Sequence, residues 1–287
     1  MKRVKTPLSN LRGFQRDVDA TPASAYELFR AAGPQLSETA VKSVHRDFPG
    51  LQRYDEALEK VMREVQATDV DGTPAVWMVY NMGLIVKTPA KTFAIDLAHR
   101  LGLLLEPLLD FALITHNHDD HVDTGLLKTM DGHGKTVVSN FFGNYGAHRA
   151  EGTPGGYTPA RGVLRIGDAV IRAVPSDHNA YLRDFTLAYE ITVGGWTLYH
   201  TGDSANIGKL NPKRKPDLWV VHPRCGLDVA AGVRKFQPAR VVIGHLCELG
   251  HVPGRWRWTM NDGLAEAAKA EAAGTETVVP VWGDRIQ

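Results

Sequence analysis

The segment Thr115-His116-Asn117-His118-Asp119-Asp120-His121 follows the apolar run Phe111-Ala112-Leu113-Ile114, which reads as a buried strand. Three imidazoles and two carboxylates behind one strand are costly to bury together unless a cation compensates them. In an extended segment side chains alternate faces, so His116 and His118 point the same way and can share one ion. Asp120 and His121 come after the chain turns and can face a second ion. Asp119 or Asp120 is expected to start the next helix by accepting the free amides of its first turn.

The chain divides on pattern into an N-terminal helical extension, residues 1–71, and a domain over residues 72–287 that carries the cluster. In the extension, Thr21-Pro22 is expected to cap a helix through Leu28 and Phe29. A second helix carries Leu36, Val41, Val44 and Phe48 and stops at Pro49-Gly50. A third shows Leu51, Tyr54, Leu58, Val61 and Val65 as one apolar stripe. An amphipathic extension docked on the main domain is the expectation; a lid over substrate or a dimerisation arm are its alternatives.

From Gly72 the pattern becomes strands: 76–80, 83–86 and 92–95, the last closed by Asp96. A Leu-rich segment over 101–109, a helix near 122–130 and a strand at 136–138 follow, then a Gly-rich loop through Gly143 and Gly156. The second half repeats the arrangement. A hairpin over 163–174 ends in Ser176-Asp177-His178, one over 185–200 ends in Thr201-Gly202-Asp203, and strands 218–221 and 240–243 end in His222 and Gly244-His245. A helix over 264–273 and a strand over 277–281 close the chain. Strands alternating with helices in two similar halves indicate sheets covered by helices, an α/β layered domain whose strand ends converge on one site.

His178, Asp203 and His245 each follow a strand, as the first cluster does, and bring the candidate metal ligands to seven. Seven suit two ions, with three imidazoles for one, Asp120 and two imidazoles for the other, and Asp203 bridging. The order His116-x-His118-x-Asp120-His121, His178, Thr201-Gly202-Asp203, Gly244-His245 resembles the metallo-β-lactamase superfamily over roughly residues 72 to 287. The resemblance implies a four-layer αββα sandwich in which His116, His118 and His178 bind one metal, Asp120, His121 and His245 the second, with Asp203 between them. Tyr199-His200-Thr201-Gly202-Asp203-Ser204 and the strand pair leading to Asp96 look like the branch containing ascorbate-6-phosphate lactonase. Aspartate at 203, where many true β-lactamases carry cysteine, disfavours antibiotic hydrolysis. His118 stands where related oxygen-reducing di-iron proteins carry glutamate, which disfavours a redox role.

The expected cofactor is therefore a pair of divalent ions, zinc first and manganese or iron as alternatives. Two such ions lower the pKa of a water between them and polarise the bond to be cut. The expected function is hydrolysis of a small ester, lactone or phosphorylated metabolite, with Asp120 and Asp203 as catalytic residues. A phosphodiesterase or nuclease of the same fold is the alternative enzyme, and a non-catalytic metal-dependent binding or sensing protein the alternative from another class. Candidates for touching substrate are His222, Arg224 and Arg255, with Arg257, His251, Tyr145 and Tyr181 nearby in sequence. His200 is expected to support the site, and His45, His99, His133 and His148 to be surface or structural.

Composition narrows the partners. Lysine and arginine number 33 against 32 acidic residues, a net charge of +1, which disfavours a dedicated nucleic-acid binder. No apolar stretch approaches the roughly 18 residues of a membrane span. Two cysteines, Cys225 and Cys247, make no disulfide framework, and Met1-Lys2-Arg3 leads into no apolar core of signal-peptide length, so a cytoplasmic setting is expected. The expected partner is a small-molecule substrate, with homo-oligomerisation left open.

Overall fold

In the computed structural model, which describes residues 8–141, 162–179 and 181–287, four helices come first: α1 (Leu8–Asp19), α2 (Ala23–Ala32), α3 (Glu38–Asp47) and α4 (Pro49–Ala67). The first of these was not among the expected helices. Nor does Thr21 cap α2, whose N-cap position is Pro22 without a side-chain bond. Thr21 Oγ1 instead donates to the Asp17 carbonyl at 3.0 Å and accepts the Gly50 amide at 3.1 Å, joining the end of α1 to the start of α4. Gly50 makes that approach feasible, because a Cβ there would lie 2.5 Å from the hydroxyl. Pro49 both ends α3 and occupies the first turn of α4, where a missing N–H removes no helical bond.

The strands form two mixed sheets. The first has the order β1 (Ala75–Tyr80), β2 (Gly83–Lys87), β3 (Thr92–Ile95), β4 (Phe111–Leu113), β5 (Thr136–Val138), with β3, β4 and β5 parallel. The second consists of β6 (Gly162–Ile166), β7 (Ala169–Ser176), β8 (Thr186–Val193), β9 (Trp196–His200), β10 (Leu218–Val221), β11 (Arg240–Ile243) and β12 (Glu276–Val278). Strands β6 to β9 run as an antiparallel meander, and β9 to β12 are parallel. Helix α5 (Thr124–Gly132) follows β4, while α6 (Val229–Phe236) and α7 (Met260–Ala272) belong to the second half.

Period-two alternation builds the layers. Val76, Met78, Phe93, Ile95, Phe111 and Leu113 of the first sheet join Ile171, Tyr189, Ile191, Leu218, Val220 and Val242 of the second in one apolar cluster between the sheets. Their neighbours Trp77, Val79, Ala94, Trp219, Val221 and Val241 belong to the cluster shared with the helices, including Leu51, Leu58 and Val61 of α4 and Val233 of α6. The result is the expected αββα sandwich, with the N-terminal helices sharing the outer core of the first sheet. Strand β1 is not left as an open edge. The C-terminal residues return to it, with Ile286 N donating to Val76 O at 2.8 Å and Gly283 N to Met78 O at 2.7 Å.

Candidate metal centre

Strand ends place the polar residues. Beyond β4 the chain breaks from the sheet at Thr115, whose amide and hydroxyl both donate to Asp96 at the end of β3, at 2.7 and 2.6 Å. The same Asp96 carboxylate accepts His121 Nδ1 at 2.9 Å, which leaves His121 Nε2 facing the cluster. His118 O accepts the His121 amide at 3.0 Å, so residues 118–121 form a turn. The helix expected to start at Asp119 or Asp120 starts at Thr124, capped by Asp123, whose Oδ1 accepts the Leu126 amide at 3.0 Å. The turn occupies the residues that would otherwise cap, and it frees Asp120 for the cluster.

His178 follows β7 by two residues, and Asp203, His222 and His245 stand just past β9, β10 and β11, three adjacent parallel strands. Two positions require unusual backbone. Gly202 has φ +50°, and a Cβ there would meet Thr115 at 2.8 Å, so Asp203 approaches the first cluster only behind a glycine. His245 itself adopts φ +59°.

The side chains converge on Asp203. Its Oδ1 lies 3.3 Å from His121 Nε2, and its Oδ2 lies 3.5 Å from His245, 3.8 Å from His116 and 4.0 Å from His178, each at Nε2. Ligand atoms of His116, His118, His178 and Asp203 fall within 4.8 Å of one another, as do those of His121, Asp203 and His245. Asp120 Oδ2 is 3.0 Å from His245 Nε2 and 3.6 Å from His121 Nε2. All seven sequence candidates are thus brought together. Two further sets meet the same spacing, Asp120 with His245 and His251, and Asp203 with His222 and Cys225.

Electrostatics and bonding within the cluster fit a bound cation. His116 Nε2, His121 Nε2 and Asp203 Oδ1 are buried without any hydrogen-bond partner. Each such group costs about 1–3 kcal/mol unless something compensates it. Burial and the neighbouring His121 hold His116 well below the usual imidazole range, leaving it a neutral donor of a lone pair. Burial alone would raise Asp203, but His121 and His245 outweigh it and keep the carboxylate ionised. Burial likewise lowers His118 and His178, whereas Asp203 pushes His121 and His245 up against their burial. Imidazoles and carboxylates in this mix are the donor types that zinc-type ions take, with the protons on His121 and His245 released on binding.

Sequence reasoning missed Asn81. It sits in the β1–β2 turn at φ +54°, donates from Nδ2 to Asp120 Oδ2 at 2.9 Å, and its carbonyl accepts the His245 amide at 3.2 Å. Its only sequence signal was an asparagine before Met82-Gly83, which reads as an ordinary hairpin turn. His200 supports the same turn, with Nε2 bonded to Met82 O at 3.1 Å. His222 is buried, its ring 3.9 Å from that of His245.

Two cavities adjoin the cluster and share His118, Asp120 and His251. One, of about 420 Å³, also reaches His222, Arg224, Trp256 and Trp258. The other, about 740 Å³, has Tyr26, Glu27 and Arg30 of α2 along one side. Arg224 gives Nη2 to Asp262 Oδ1 at 2.7 Å and lies over Trp258, 5.0 Å from the ring centroid. Arg255 is exposed, lies over Trp256 and lines neither cavity. Arg257 is buried and donates to the carbonyls of Val18, Thr21, Glu248, Leu249 and His251, so it is a backbone tie and not an anion site. Tyr181 is exposed, and Tyr145, His148 and the Gly-rich loop lie outside the described residues. His45 pairs with Asp55 at 2.9 Å and His133 with Glu106 at 3.0 Å.

No protein-family model and no curated protein matches the chain. Solved structures do. The metallo hydrolase Igni18 from Ignicoccus hospitalis matches with TM-score 0.57 at 18% identity, over 74% of this chain and 97% of its own. The metallo-β-lactamase fold protein YhfI from Bacillus subtilis matches with TM-score 0.56 at 15% identity, over 75% and 99%. The di-iron β-hydroxylase CmlA from Streptomyces venezuelae matches with TM-score 0.53 at 14% identity, over 86% of this chain and 59% of its own. Two mixed sheets between helices, with histidines and aspartates gathered at the strand ends, give this chain the metallo-β-lactamase fold.

Proposed function

We propose that the protein is a dinuclear metal-dependent hydrolase of a small, uncharged ester or lactone. The observation that carries this reading is the convergence of both halves on Asp203, with buried, partnerless nitrogens of His116 and His121 beside it. His116, His118 and His178 would hold one ion, and Asp120, His121 and His245 the other, with Asp203 able to reach both. Bound there, two divalent ions acidify a water between them and polarise the oxygen of the bond to be cut.

The chain's own residues do the rest. Asp120 stays ionised, because His121 and His245 outweigh the burial that would raise it. With one oxygen held by Asn81 Nδ2, it orients the attacking water and takes its proton toward the leaving group. Asp96 keeps His121 in the tautomer whose Nε2 faces the centre. Charge on the cavity walls favours an uncharged substrate over a phosphodiester. Arg224, the cation beside the smaller cavity, already pairs with Asp262, and Arg30, beside the larger, donates to the carbonyls of Asp119 and Val122. The donor set accommodates zinc, manganese or iron, and the fold itself includes a di-iron protein.

The test is chelator-sensitive turnover on a panel of aryl and alkyl esters, sugar lactones, bis(p-nitrophenyl) phosphate and RNA, with ions per chain counted by elemental analysis. Ester or lactone turnover lost with chelator is expected. Turnover of phosphodiesters alone would sink the ester reading, and two bound ions with no hydrolysis of any substrate would favour a binding or sensing protein.

A further inference from the structure

We propose that Trp256 and Trp258 form a binding wall for a planar, uncharged aromatic group, so that the substrate is an aryl ester or an aryl-substituted lactone. The inference rests on the hydrolytic reading above and adds to it the chemistry of the group held beside the cut bond.

The cavity of about 420 Å³ is bounded on one part by the histidine–aspartate cluster and on the rest by Asn179, Arg224, Cys225, Trp256 and Trp258. On that second part the Asn179 side-chain oxygen and the Arg224 guanidinium are already engaged. Asn179 Oδ1 accepts the amides of Tyr181 and Leu182 at 2.8 and 3.0 Å. The Arg224 charge is matched by Asp262 at 2.7 Å, and its guanidinium covers Trp258. A phosphate would have to displace Asp262 to use Arg224. Cys225 offers a weakly polar thiol.

The indoles remain. Trp258 packs against the helix-side core and is held from above by Arg224, so its ring is a rigid surface. Trp256 is 54% exposed at the cavity beside the carboxylates, with Arg255 over its ring at 5.8 Å from the centroid and a large apolar area still facing solvent. A ring of that size bordering a polar site gains when a flat apolar group covers it, and aromatic pairing adds to the burial. The volume is within the usual range for a small-molecule site. It accepts a bicyclic ring next to a scissile carbonyl. A flat apolar group covers the two indoles more completely than a sugar does, which makes it the better match for this wall.

Full-length protein treated with chelator and titrated with 2-naphthol, which cannot be hydrolysed, tests the wall without turnover. Indole Nε1–H resonances of Trp256 and Trp258 should shift with 2-naphthol and much less with cyclohexanol at equal concentration. In zinc-loaded protein, Trp256→Ala should raise KM for 2-naphthyl acetate about tenfold, with Trp256→Phe restoring most of it. Zinc content should stay at the parent's level, since truncating one exposed ring leaves the cluster untouched, and the loss in kcat/KM should be smaller for ethyl acetate than for 2-naphthyl acetate. Equal shifts from both alcohols, or equal loss on both esters, overturns the proposal. Naphthol-specific shifts with no turnover of either ester support the aromatic wall and refute the hydrolase reading instead.

Discussion

Asp203 and Asp96 are both buried aspartates at strand ends, and their surroundings give them different work. Among the described residues Asp203 is the one carboxylate within 4.0 Å of His116, His121, His178 and His245. In the proposed two-ion arrangement, removing it takes a ligand from both ions, whereas removing His178 takes one from a single ion. Asp203→Ala is therefore expected to hold fewer than one ion per chain by elemental analysis, and His178→Ala at least one. Asp96 touches no ion in this reading. It accepts the Thr115 amide, the Thr115 hydroxyl and His121 Nδ1, and so aims His121. Asp96→Ala should weaken metal binding roughly 10- to 100-fold in a competition titration with a chromogenic chelator. Unchanged affinity would show that His121 needs no such support. At this scale the candidate ligands His116, His118, Asp120 and His121 were legible because HxHxDH is a local pattern. Asn81 was not, since its bond to Asp120 spans 39 residues and a turn asparagine carries no mark of what its amide meets.

Elements act on the site through a few backbone ties. Helix α2 reaches the ligand loop through Arg30, which donates to the carbonyls of Asp119 and Val122 on either side of Asp120 and His121. Arg30→Leu keeps the aliphatic stem and removes both bonds. Its expected result is a lower retained metal content after dialysis with little loss of helicity by circular dichroism. The β9 end is constrained more tightly. At Gly202 a side chain meets both a left-handed φ and Thr115 at 2.8 Å, so Gly202→Ala should lower unfolding free energy by about 1–3 kcal/mol in urea melts and displace Asp203 from the centre. The strands themselves were readable from alternation and turn residues. Helix α1 and the Asp123 cap were not, because Asp119, Asp120 and Asp123 compete for one capping role and the turn that frees Asp120 decides among them.

Across the whole molecule the helical extension is part of the same core. Tyr54 of α4 stacks on His99, ring centroids 3.7 Å apart, and meets Tyr26 and Tyr80 edge-on. Arg100, next to His99, pairs with Asp55 of α4, and Arg257 ties Val18 and Thr21 to the loop carrying His251. His99 makes this docking sensitive to acid. Its Nε2 bonds to Tyr54 O at 2.9 Å while Nδ1 accepts the Leu101 amide at 3.1 Å, so a second proton has no place. Burial lowers its pKa to about 3. Above about pH 6.5, the ordinary value, both folded and unfolded chains hold His99 neutral, and no stability depends on it. As pH falls from there toward 3 only the unfolded chain gains the proton, so stability is lost by about 1.4 kcal/mol per pH unit. Urea unfolding at pH 7, 6 and 5 should show this decline, and His99→Gln should have a shallower one. Equal slopes would assign the acid sensitivity elsewhere.

The sequence by itself determined the layers and the ligand types, because period-two alternation and an HxHxDH run behind an apolar strand are local properties of neighbouring residues. Tertiary structure alone decided which arginines are already paired and that Asn81 and helix α2 border the site. Those relations join residues far apart in the chain, as Tyr80 and Glu248 are joined at 2.7 Å across 168 positions. Such contacts are set by how two sheets and their helices pack, and packing leaves no periodic trace in the order of the residues.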